Sequence, residues 1–254
     1  MLEKNNLEIT GNGLKLIAII TMFIDHFAVA LYSILAYRNG WDISFLGIDL
    51  YSWMRLIGRM AFPIYCFLVV EGFYHTRDFR KYAIRLLALA TISEFPFDLA
   101  VNFHSSYFLY NNVIFTLLIG LLTIGEMEYV RSGKIEKINT NLLKTLATIL
   151  IFLVGCLLAY IMKTDYGAVG VATIVVMYLL YGNTKYSRML EFAAGVLILF
   201  LGSNSTEAAA FLMLIPIAFY KGNRGSKSPV IKYTFNLFYP VHLLILGLVA
   251  FYMI

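Results

Sequence analysis

Two histidines lie inside long apolar stretches of the chain, and the first directly follows a carboxylate. If the first apolar run is helical, Asp25 and His26 stand about 18 Å above its start, since each residue of an α-helix rises about 1.5 Å. Histidine is the side chain most often used as a general acid or base, and ionisable groups at membrane depth usually mark function. We therefore predict that His26 is a general base. Asp25 points away from His26, so we expect it to support the site through a partner on another helix.

The second histidine, His242, follows Tyr239 and Pro240 in the last apolar run. A lone buried histidine is more often an interior group with satisfied hydrogen bonds than a catalyst. Two histidines at membrane depth, with a neighbouring carboxylate, favour a functional role instead. We expect His242 to lie shallower than His26 and to support or position the base.

A pair of carboxylates, Glu94 and Asp98, stands on either side of Pro96 at helical spacing. Residues four apart share a helix face, and a proline in a membrane helix bends the backbone in a way typical of polar cavities. We predict Glu94 as a further catalytic candidate beside Asp25, His26 and His242. A structural ion pair of Glu94 or Asp98 with Arg59 is the alternative. The residues assigned to structure or substrate contact are Arg59, Asp98, Asn112 and Tyr239.

Cations gather after the second apolar run, where Arg77, Lys81 and Arg85 would form one stripe if the next helix begins that early. A basic mouth of this kind could hold a polyanionic ligand such as a nucleotide-bearing cofactor. The ordinary enrichment of cations in cytoplasmic links explains the same pattern. The candidate cofactor-binding residues are Lys15, Glu71, His75, Arg77, Arg80, Lys81 and Arg85.

The composition indicates a polytopic membrane protein. The chain has 254 residues, of which 60% are hydrophobic and 14% charged, whereas soluble domains are typically about 45–50% apolar and 25% charged. Cys66 and Cys156 lie in apolar runs and predict no disulfide framework. The net charge of +5 follows from membrane topology, so we expect no nucleic-acid partner, and we predict no metal site.

The apolar runs predict an all-α helical bundle with nine membrane spans in a single domain, residues 1–254. A span needs about 20 apolar residues. The predicted spans cover residues 14–36, 56–75, 82–101, 110–127, 142–162, 166–182, 189–202, 207–221 and 236–254. The seventh and eighth are short enough to be a re-entrant pair. We interpret the first as a retained helix and not a signal peptide, and we expect Pro63 to kink the second.

The lysines and arginines in the links and near the ends of the apolar runs predict the orientation. They divide sixteen to four between the two sides, and the poorer side holds only Arg38, Arg55, Arg59 and Lys163. Cytoplasmic links carry the excess of these residues. The N-terminus, together with Lys4, is therefore predicted in the cytoplasm and the C-terminus outside.

Several motifs along most of the chain resemble the TraX family. The most specific are LKLIAIITMFIDHF at 14–27, GRMAFPIYCFLVVEGFYHTRD at 58–78 and FNLFYPVHLLIL at 235–246. The family's namesake N-acetylates the pilin subunit of a conjugative plasmid. A weaker similarity extends to membrane acyltransferases that O-acylate surface sugars. Those enzymes have a basic residue ahead of a histidine in the first helix, and Lys15 with His26 matches this pattern. They also have an FxxxxGF-like element, matched by Phe67–Phe73, and a histidine in a late helix, matched by His242. The chain differs in having lysine for the usual arginine, Glu71 before Gly72, and Asp25.

The resemblance implies an acyltransferase of the bacterial inner membrane that uses acetyl-CoA as co-substrate. The acceptor would be a pilin-like peptide or a surface sugar, with His26 as the general base. The phosphates of CoA would meet the basic residues 77–85. An extended pantetheine arm of about 15–20 Å would then reach the depth of His26.

Two other classes of protein also fit the residues. A proton-coupled transporter of small molecules needs intramembrane histidines and carboxylates as well. A purely structural or assembly protein would tolerate neutral replacements of Asp25, His26 and Glu94 with losses of stability alone. The basic residues at the cytoplasmic side and a histidine at the depth that a pantetheine arm would reach together favour the acyltransferase over the transporter.

The orientation can be tested with reporter fusions. An alkaline phosphatase fused after Ile254 should be active, because that enzyme folds only outside the cytoplasm, and one fused after Gly133 should be inactive. The reverse pattern, or activity at neither position, would contradict the predicted nine-span topology.

Overall fold

Apolar helices form most of the described chain, which the computed structural model covers at residues 8–41, 43–101, 110–135 and 137–253. Lys4 and Ile254, used in the predictions above, lie outside the described residues. The first helix, α1, spans Gly11–Phe27 and continues through a π-helical turn, Ala28–Tyr32, into α2, Ser33–Asn39. Two short antiparallel strands follow, β1 at Ser44–Phe45 and β2 at Ile48–Asp49.

The remaining elements are helical and run to the end of the described chain. They are α3 Leu50–Gly58, α4 Ala61–His75, α5 Phe79–Val101, α6 Val113–Arg131, α7 Asn141–Ile161, α8 Gly167–Leu179, α9 Lys185–Gly202, a 3-10 helix Ser205–Met213, α10 Leu214–Phe219 and α11 Pro229–Met253. The predicted all-α class is therefore confirmed for the described residues.

Each of the nine predicted spans coincides with a helix or with consecutive helices. Within the described residues, five helical stretches are long and apolar enough to cross a membrane: Gly11–Asn39, Leu50–His75, Val113–Arg131, Asn141–Ile161 and Pro229–Met253. Two more, Gly167–Leu179 and Ser205–Phe219, are apolar but shorter. The chain is thus a helical membrane protein, while the count of nine spans and the orientation stay predictions.

Side-chain caps begin several of the helices where the apolar runs begin. The hydroxyl of Thr10 accepts from the backbone N–H of Gly13 at 3.2 Å, and that of Thr140 accepts from Leu143 at 3.2 Å. Such a cap stabilises a helix by about 1 kcal/mol, since it satisfies a backbone donor that has no partner within the helix. Local sequence therefore determines where these helices start.

The second predicted span consists of two helices, so the predicted kink at Pro63 is wrong. α3 ends at Gly58, and α4 begins at Ala61, which places Pro63 in the first turn of α4. A proline in the first turn lacks only an N–H that would be unpaired in any case, and it therefore starts the helix without bending it.

The predicted stripe of Arg77, Lys81 and Arg85 is shortened, because α5 begins only at Phe79. Asp78 precedes the helix and accepts from the backbone N–H of Lys81 at 2.9 Å. This hydrogen bond holds the pKa of Asp78 below its ordinary value. Arg77 lies before this cap, outside the helix, and shares no helical face with the other two cations.

The hairpin between α2 and α3 turns through Leu46 and Gly47, with Phe45 paired to Ile48. Both turn residues have positive φ, 53° and 75°, as a two-residue turn of the primed type requires. A left-handed conformation costs a side-chain-bearing residue roughly 1–2 kcal/mol, and Asn is the usual choice at that position. The indole N–H of Trp53 donates to the carbonyl oxygen of Phe45 at 2.9 Å and ties the hairpin to α3.

The buried apolar residues form two clusters within the described chain. In one, Phe67 of α4 meets Phe192 of α9 and Tyr220 edge to face. The other joins the end of α1 to α5 and α11 and contains Phe97 and Leu243. α5 and α11 pack along each other, and α11 also contacts α1, so the last helix lies against the first.

A close approach of α1 to α3 depends on Gly58. A Cβ added at this residue would lie 2.1 Å from Oδ1 of Asp25, well inside any tolerable contact. A glycine at this position lets the carboxylate of α1 lie directly against the backbone of α3.

We expect Gly58→Ala to lower the free energy of unfolding by about 1–3 kcal/mol, as overpacked sites do. Gly11→Ala is the control, because its Cβ would meet its nearest atom, the carbonyl oxygen of Arg224, at an ordinary 3.4 Å. Thermal unfolding of the detergent-purified variants measures the difference. Equal stability of the Gly58→Ala variant and the wild type would show that α1 and α3 do not pack this closely.

Candidate functional site

A cavity of about 440 Å³ lies between α1, α3, α4, α5 and α6 at the end of the bundle that carries the hairpin, here called the hairpin end. His26, Tyr51 and Arg59 are among its lining residues, as are Asp165 and Tyr166 of the segment that precedes α8. This volume suits a small reacting group or the end of a larger molecule.

His26 and His242 form a direct hydrogen bond at the edge of this cavity. Nδ1 of His26 lies 2.7 Å from Nε2 of His242, and the two rings stack with centroids 5.0 Å apart. The rings of Phe238 and Tyr239 pack beside the pair, at 4.5 Å from His242 and 6.0 Å from His26 respectively. α1 and α11 are thereby joined at two histidines far apart in the sequence.

The prediction that His242 is shallower than His26 is wrong, because a direct hydrogen bond requires the same depth. α11 begins at Pro229, earlier than the predicted start at residue 236. His242 therefore lies about 20 Å along its helix, at about 1.5 Å per residue, which is close to the depth of His26 along α1.

The hydrogen-bond partners determine which nitrogen of His26 is unprotonated. Nδ1 of His242 lies 2.6 Å from the carbonyl oxygen of Phe238, and a carbonyl can only accept. In the neutral pair, His242 therefore donates through Nδ1 and accepts through Nε2. His26 must then donate through Nδ1, which leaves its Nε2 without a proton. An unprotonated ring nitrogen on a residue that lines the cavity is what a general base requires.

A π-helical turn begins two residues after this histidine and runs from Ala28 to Tyr32. Turns of this type insert an extra residue into a helix and are frequent at functional sites. Here the turn changes the rotation of α2 relative to α1, so the residues after His26 face different neighbours from those that an uninterrupted helix would give them.

Asp25 forms ion pairs with two arginines of the same neighbouring segment. Its Oδ2 lies 2.6 Å from Nη1 of Arg55, and its Oδ1 lies 3.4 Å from Nη2 of Arg59. Both arginines line the cavity and stand four residues apart, so one helical face presents both guanidinium groups. The expected partner of Asp25 on another helix is therefore found, although the sequence distinguished Arg55 only as one of the four cations on the side poorer in lysine and arginine.

Arg59 has a second carboxylate partner, Glu207 of the 3-10 helix, at 3.3 Å. Glu207 is completely buried, and Arg59 also donates to the hydroxyl of Tyr166 at 3.3 Å. The predicted ion pair of Arg59 with Glu94 or Asp98 is wrong, since Arg59 pairs with Asp25 and Glu207 instead. One signal in the sequence points to Glu207, which is the last carboxylate side chain of the chain and lies in an apolar segment.

Tyr166 has a positive φ of 62°, which is unusual for an aromatic residue. Its ring stacks on that of Phe62 with centroids 3.8 Å apart. Its backbone N–H donates to Oδ1 of Asp165 at 3.1 Å. Contacts on both sides of the residue hold this strained conformation, which is a pattern that clusters at functional sites.

Glu94 is a partner of Asn112 and is not among the residues that line the cavity. It accepts hydrogen bonds from the backbone and side-chain amides of Asn112, at 3.1 Å for the backbone. Asn112 in turn caps α6 by accepting from Ile114 at 3.0 Å and donates to Ala90 at 2.8 Å. These contacts join α5 to the start of α6. Asp98 and Tyr239 are both buried in the same part of the bundle.

The predicted cofactor residues lie toward the opposite end, which is called the basic end and is marked by Lys15, Arg85 and Arg224. Lys15 is half-buried, lies 6.0 Å from the ring of Phe235, and has the charges of Arg224 and Arg85 near it. The first turn of α1 binds the loop that carries Arg224, because Asn12 donates its backbone N–H to the Arg224 carbonyl at 3.0 Å. Arg77, Arg80, Lys81 and Arg85 are exposed.

Glu71 and His75 have different surroundings although they share a helix face. Glu71 is buried, accepts from the hydroxyl of Tyr220 at 2.9 Å and lies 4.0 Å from Nε of Arg188. His75 is exposed, and its Nδ1 lies 2.8 Å from the backbone carbonyl oxygen of Glu71. Glu71 is thus part of the packed interior, while the ring of His75 faces outward at the end of α4. The described residues contain no group of three or more metal-ligating side chains.

The family model named TraX protein matches residues 10–250 of the chain. A curated relative from Dichelobacter nodosus, described as a probable fimbrial assembly protein FimC of serogroup H1, is 29% identical over 260 residues. The match covers 95% of this chain and 96% of the relative. The comparison with solved structures returned no match. The resemblance predicted from the motifs is confirmed by the family match, and the chain belongs to the TraX family.

Proposed function

We propose that the chain transfers an acetyl or other acyl group from acyl-CoA in the cytoplasm to an acceptor at the outer side of the bacterial inner membrane. The observation that carries this proposal is the hydrogen-bonded pair of His26 and His242 at a cavity that two arginines also line. The TraX family match and the relative described as a fimbrial assembly protein favour a pilin-like acceptor, and a surface sugar is the other candidate.

In this mechanism Nε2 of His26 removes a proton from the amine or hydroxyl of the acceptor. The acceptor atom forms a bond to the acyl carbon, and the bond from that carbon to the sulfur of CoA breaks. The proton on His26 then passes to the departing sulfur, so that CoA leaves as a thiol. His242 does not touch the reacting atoms and holds His26 in the tautomer that leaves Nε2 free.

Arg55 and Arg59 are suited to stabilise the negative charge that develops on the acyl oxygen. Donors fixed in advance toward a developing oxyanion are among the largest contributions to catalysis. The carboxylate of Asp25 holds both guanidinium groups at the cavity. We therefore assign Asp25 to positioning the two arginines, in place of a direct interaction with the imidazolium of His26.

The cofactor would bind with its phosphates at the basic end and its thioester at the cavity. Lys15 and His26 are about 16 Å apart along α1, by helical rise. An extended pantetheine arm spans about 15–20 Å, which matches this separation. Under the predicted nine-span topology with a cytoplasmic N-terminus, the basic end would face the side that contains acyl-CoA and the hairpin end would face the side of the acceptor.

A proton-coupled transporter remains the second candidate, because of buried carboxylates outside the cavity. Glu191 of α9 is completely buried and lies near the charges of Glu71 and Arg188. Such groups carry protons in many transporters. Proteoliposomes separate the two classes: a transporter moves substrate without consuming acetyl-CoA, whereas the transferase forms labelled product from labelled acetyl-CoA and a membrane extract.

The phosphate-binding role of the basic end predicts weaker CoA binding when its cations are removed. We expect Lys15→Ala, Arg85→Ala and Arg224→Ala each to raise the Kd for CoA about tenfold or more, because a charge-assisted hydrogen bond contributes about 1.5–3 kcal/mol. The increase should shrink as salt is added. The Kd of the Arg77→Ala variant tests whether Arg77, the cation of the predicted 77–85 cluster that precedes α5, also binds CoA.

Lys137→Ala is the matched control, since Lys137 is an exposed cation of the link between α6 and α7. Binding is measured by calorimetry on detergent-purified protein. An unchanged Kd in the three variants, all still folded, would leave these cations as determinants of topology only.

The assignment of the histidines predicts different losses of activity for the two rings. Loss of a general base typically lowers the rate about 10²–10⁴-fold, so His26→Ala should lose transfer while it retains CoA binding. His242→Gln should keep most activity, since its amide oxygen can accept from Nδ1 of His26, whereas the apolar variant His242→Phe should lose activity strongly. Initial rates with labelled acetyl-CoA measure the effect.

Two outcomes would contradict this assignment. Near-normal acyl transfer by a folded His26→Ala protein would make Glu94 or His242 the next candidate for the general base. Equal activity of His242→Gln and His242→Phe would show that the hydrogen bond between the rings does not select the tautomer of His26.

A further inference from the structure

The hairpin of residues 44–49 joins two stretches that are each long and apolar enough to cross a membrane. The first ends at Asn39 and the second begins at Leu50, so only a short link separates them. Both ends of this link are fixed by the ends of the two helices. The hairpin must therefore lie close to the surface of the bilayer.

Several apolar and aromatic side chains of this link, and of the helix end before it, are exposed, while Asp42 and Asp49 are the link's two charged residues. Phe45 and Leu46 at its tip are 66% and 77% exposed, and Ile43 is 50% exposed. Tyr37 and Trp41, at the end of α2 and just after it, are 91% and 46% exposed. The link contains no lysine or arginine. In water such a surface would be unfavourable, whereas aromatic residues are enriched at the level of the lipid head groups.

The conformation of the tip supports a role for its side chains. Leu46 occupies a left-handed turn position that Asn or Gly would adopt with less strain, so an apolar side chain is present where the turn disfavours one. The backbone is nevertheless well held: Leu50 donates to the Ile43 carbonyl at 2.9 Å, and Asp49 caps α3 by accepting from Ser52 at 2.8 Å.

We propose that the tip of the hairpin, Phe45 and Leu46, together with Tyr37 and Trp41, inserts into the head-group region of the adjacent leaflet. The occupant of this surface is the lipid itself, because the surface is continuous with two candidate membrane spans and the two residues at its tip, Phe45 and Leu46, are apolar and exposed. This proposal does not depend on acyl transfer and holds for any activity of the chain.

Insertion determines where the cavity opens. α3 begins directly after the hairpin, and its Tyr51 lines the cavity together with Tyr110, both at least 36% exposed. An inserted hairpin keeps this part of the cavity at the depth of the head groups. An acceptor that is itself held in the membrane can then reach the cavity without leaving the lipid.

Tryptophan fluorescence tests the proposal, because the chain has two tryptophans, Trp41 and Trp53. The Trp53→Phe variant, reconstituted in vesicles of phosphatidylcholine and phosphatidylglycerol, reports on Trp41 alone. We expect phosphatidylcholine brominated near the head group to quench Trp41 more strongly than lipid brominated at the chain end, and aqueous iodide to quench it weakly. Leu46→Trp in a background without the other two should behave in the same way.

Leu46→Asn supplies the matched variant for the tip, since Asn suits the left-handed turn. It should unfold at the wild-type temperature or higher in detergent, while lipid quenching of Trp41 falls. Strong iodide quenching of both Trp41 and a tryptophan at position 46, with no effect of brominated lipid, would overturn the proposal. Protection of both tryptophans from iodide only when an apolar peptide is added would also overturn it, because a protein partner would then occupy the surface.

Discussion

The carboxylate of Asp25, between the guanidinium groups of Arg55 and Arg59, is the interaction on which the hairpin end depends. It joins α1 to α3 inside a membrane bundle, where each of these charges alone would be strongly disfavoured. Removing one partner of such a buried pair commonly costs about 3–5 kcal/mol, because the remaining charge loses its compensation. The pair also requires that α3 present no side chain at Gly58, so charge and backbone packing are satisfied together.

The same ion pairs hold the guanidinium groups of Arg55 and Arg59 at the cavity, and they pair the carboxylate of Asp25 with both. Arg59 extends the network to Glu207 and Tyr166, and so the 3-10 helix and the start of α8 are tied to α3. On the other side of the cavity, α11 contributes His242 to His26. Residues from distant parts of the chain therefore meet at one cavity, and each of them is held by a neighbour on another helix. This arrangement fixes the geometry of the site before any ligand binds, which is what a preorganised catalytic site requires.

The two ends of α1 serve different chemical purposes in the proposed reaction. Its first turns carry Lys15 near other cations, and its last turn carries the aspartate and histidine that face the cavity. A single helix of fixed rise thus sets the distance between the proposed phosphate site and the proposed site of acyl transfer. The helix is rigid, and the separation therefore does not depend on loop conformations.

The amino-acid sequence by itself determined the helical membrane class, the positions of most helices, the family and the two histidines. Long apolar runs can satisfy their backbone groups in lipid only as helices, and caps such as Thr10 and Thr140 are local. Only the tertiary structure decided which polar groups meet. Arg55 and Glu207 could not be assigned from spacing, because their partners lie on other helices. The depth of His242 depended on where α11 begins, and only the structure showed that α3 ends at Gly58, against Asp25. Pairing between helices is set by three-dimensional contacts that no period along the chain encodes, and for that reason the sequence located the histidines but not the hydrogen bond between them.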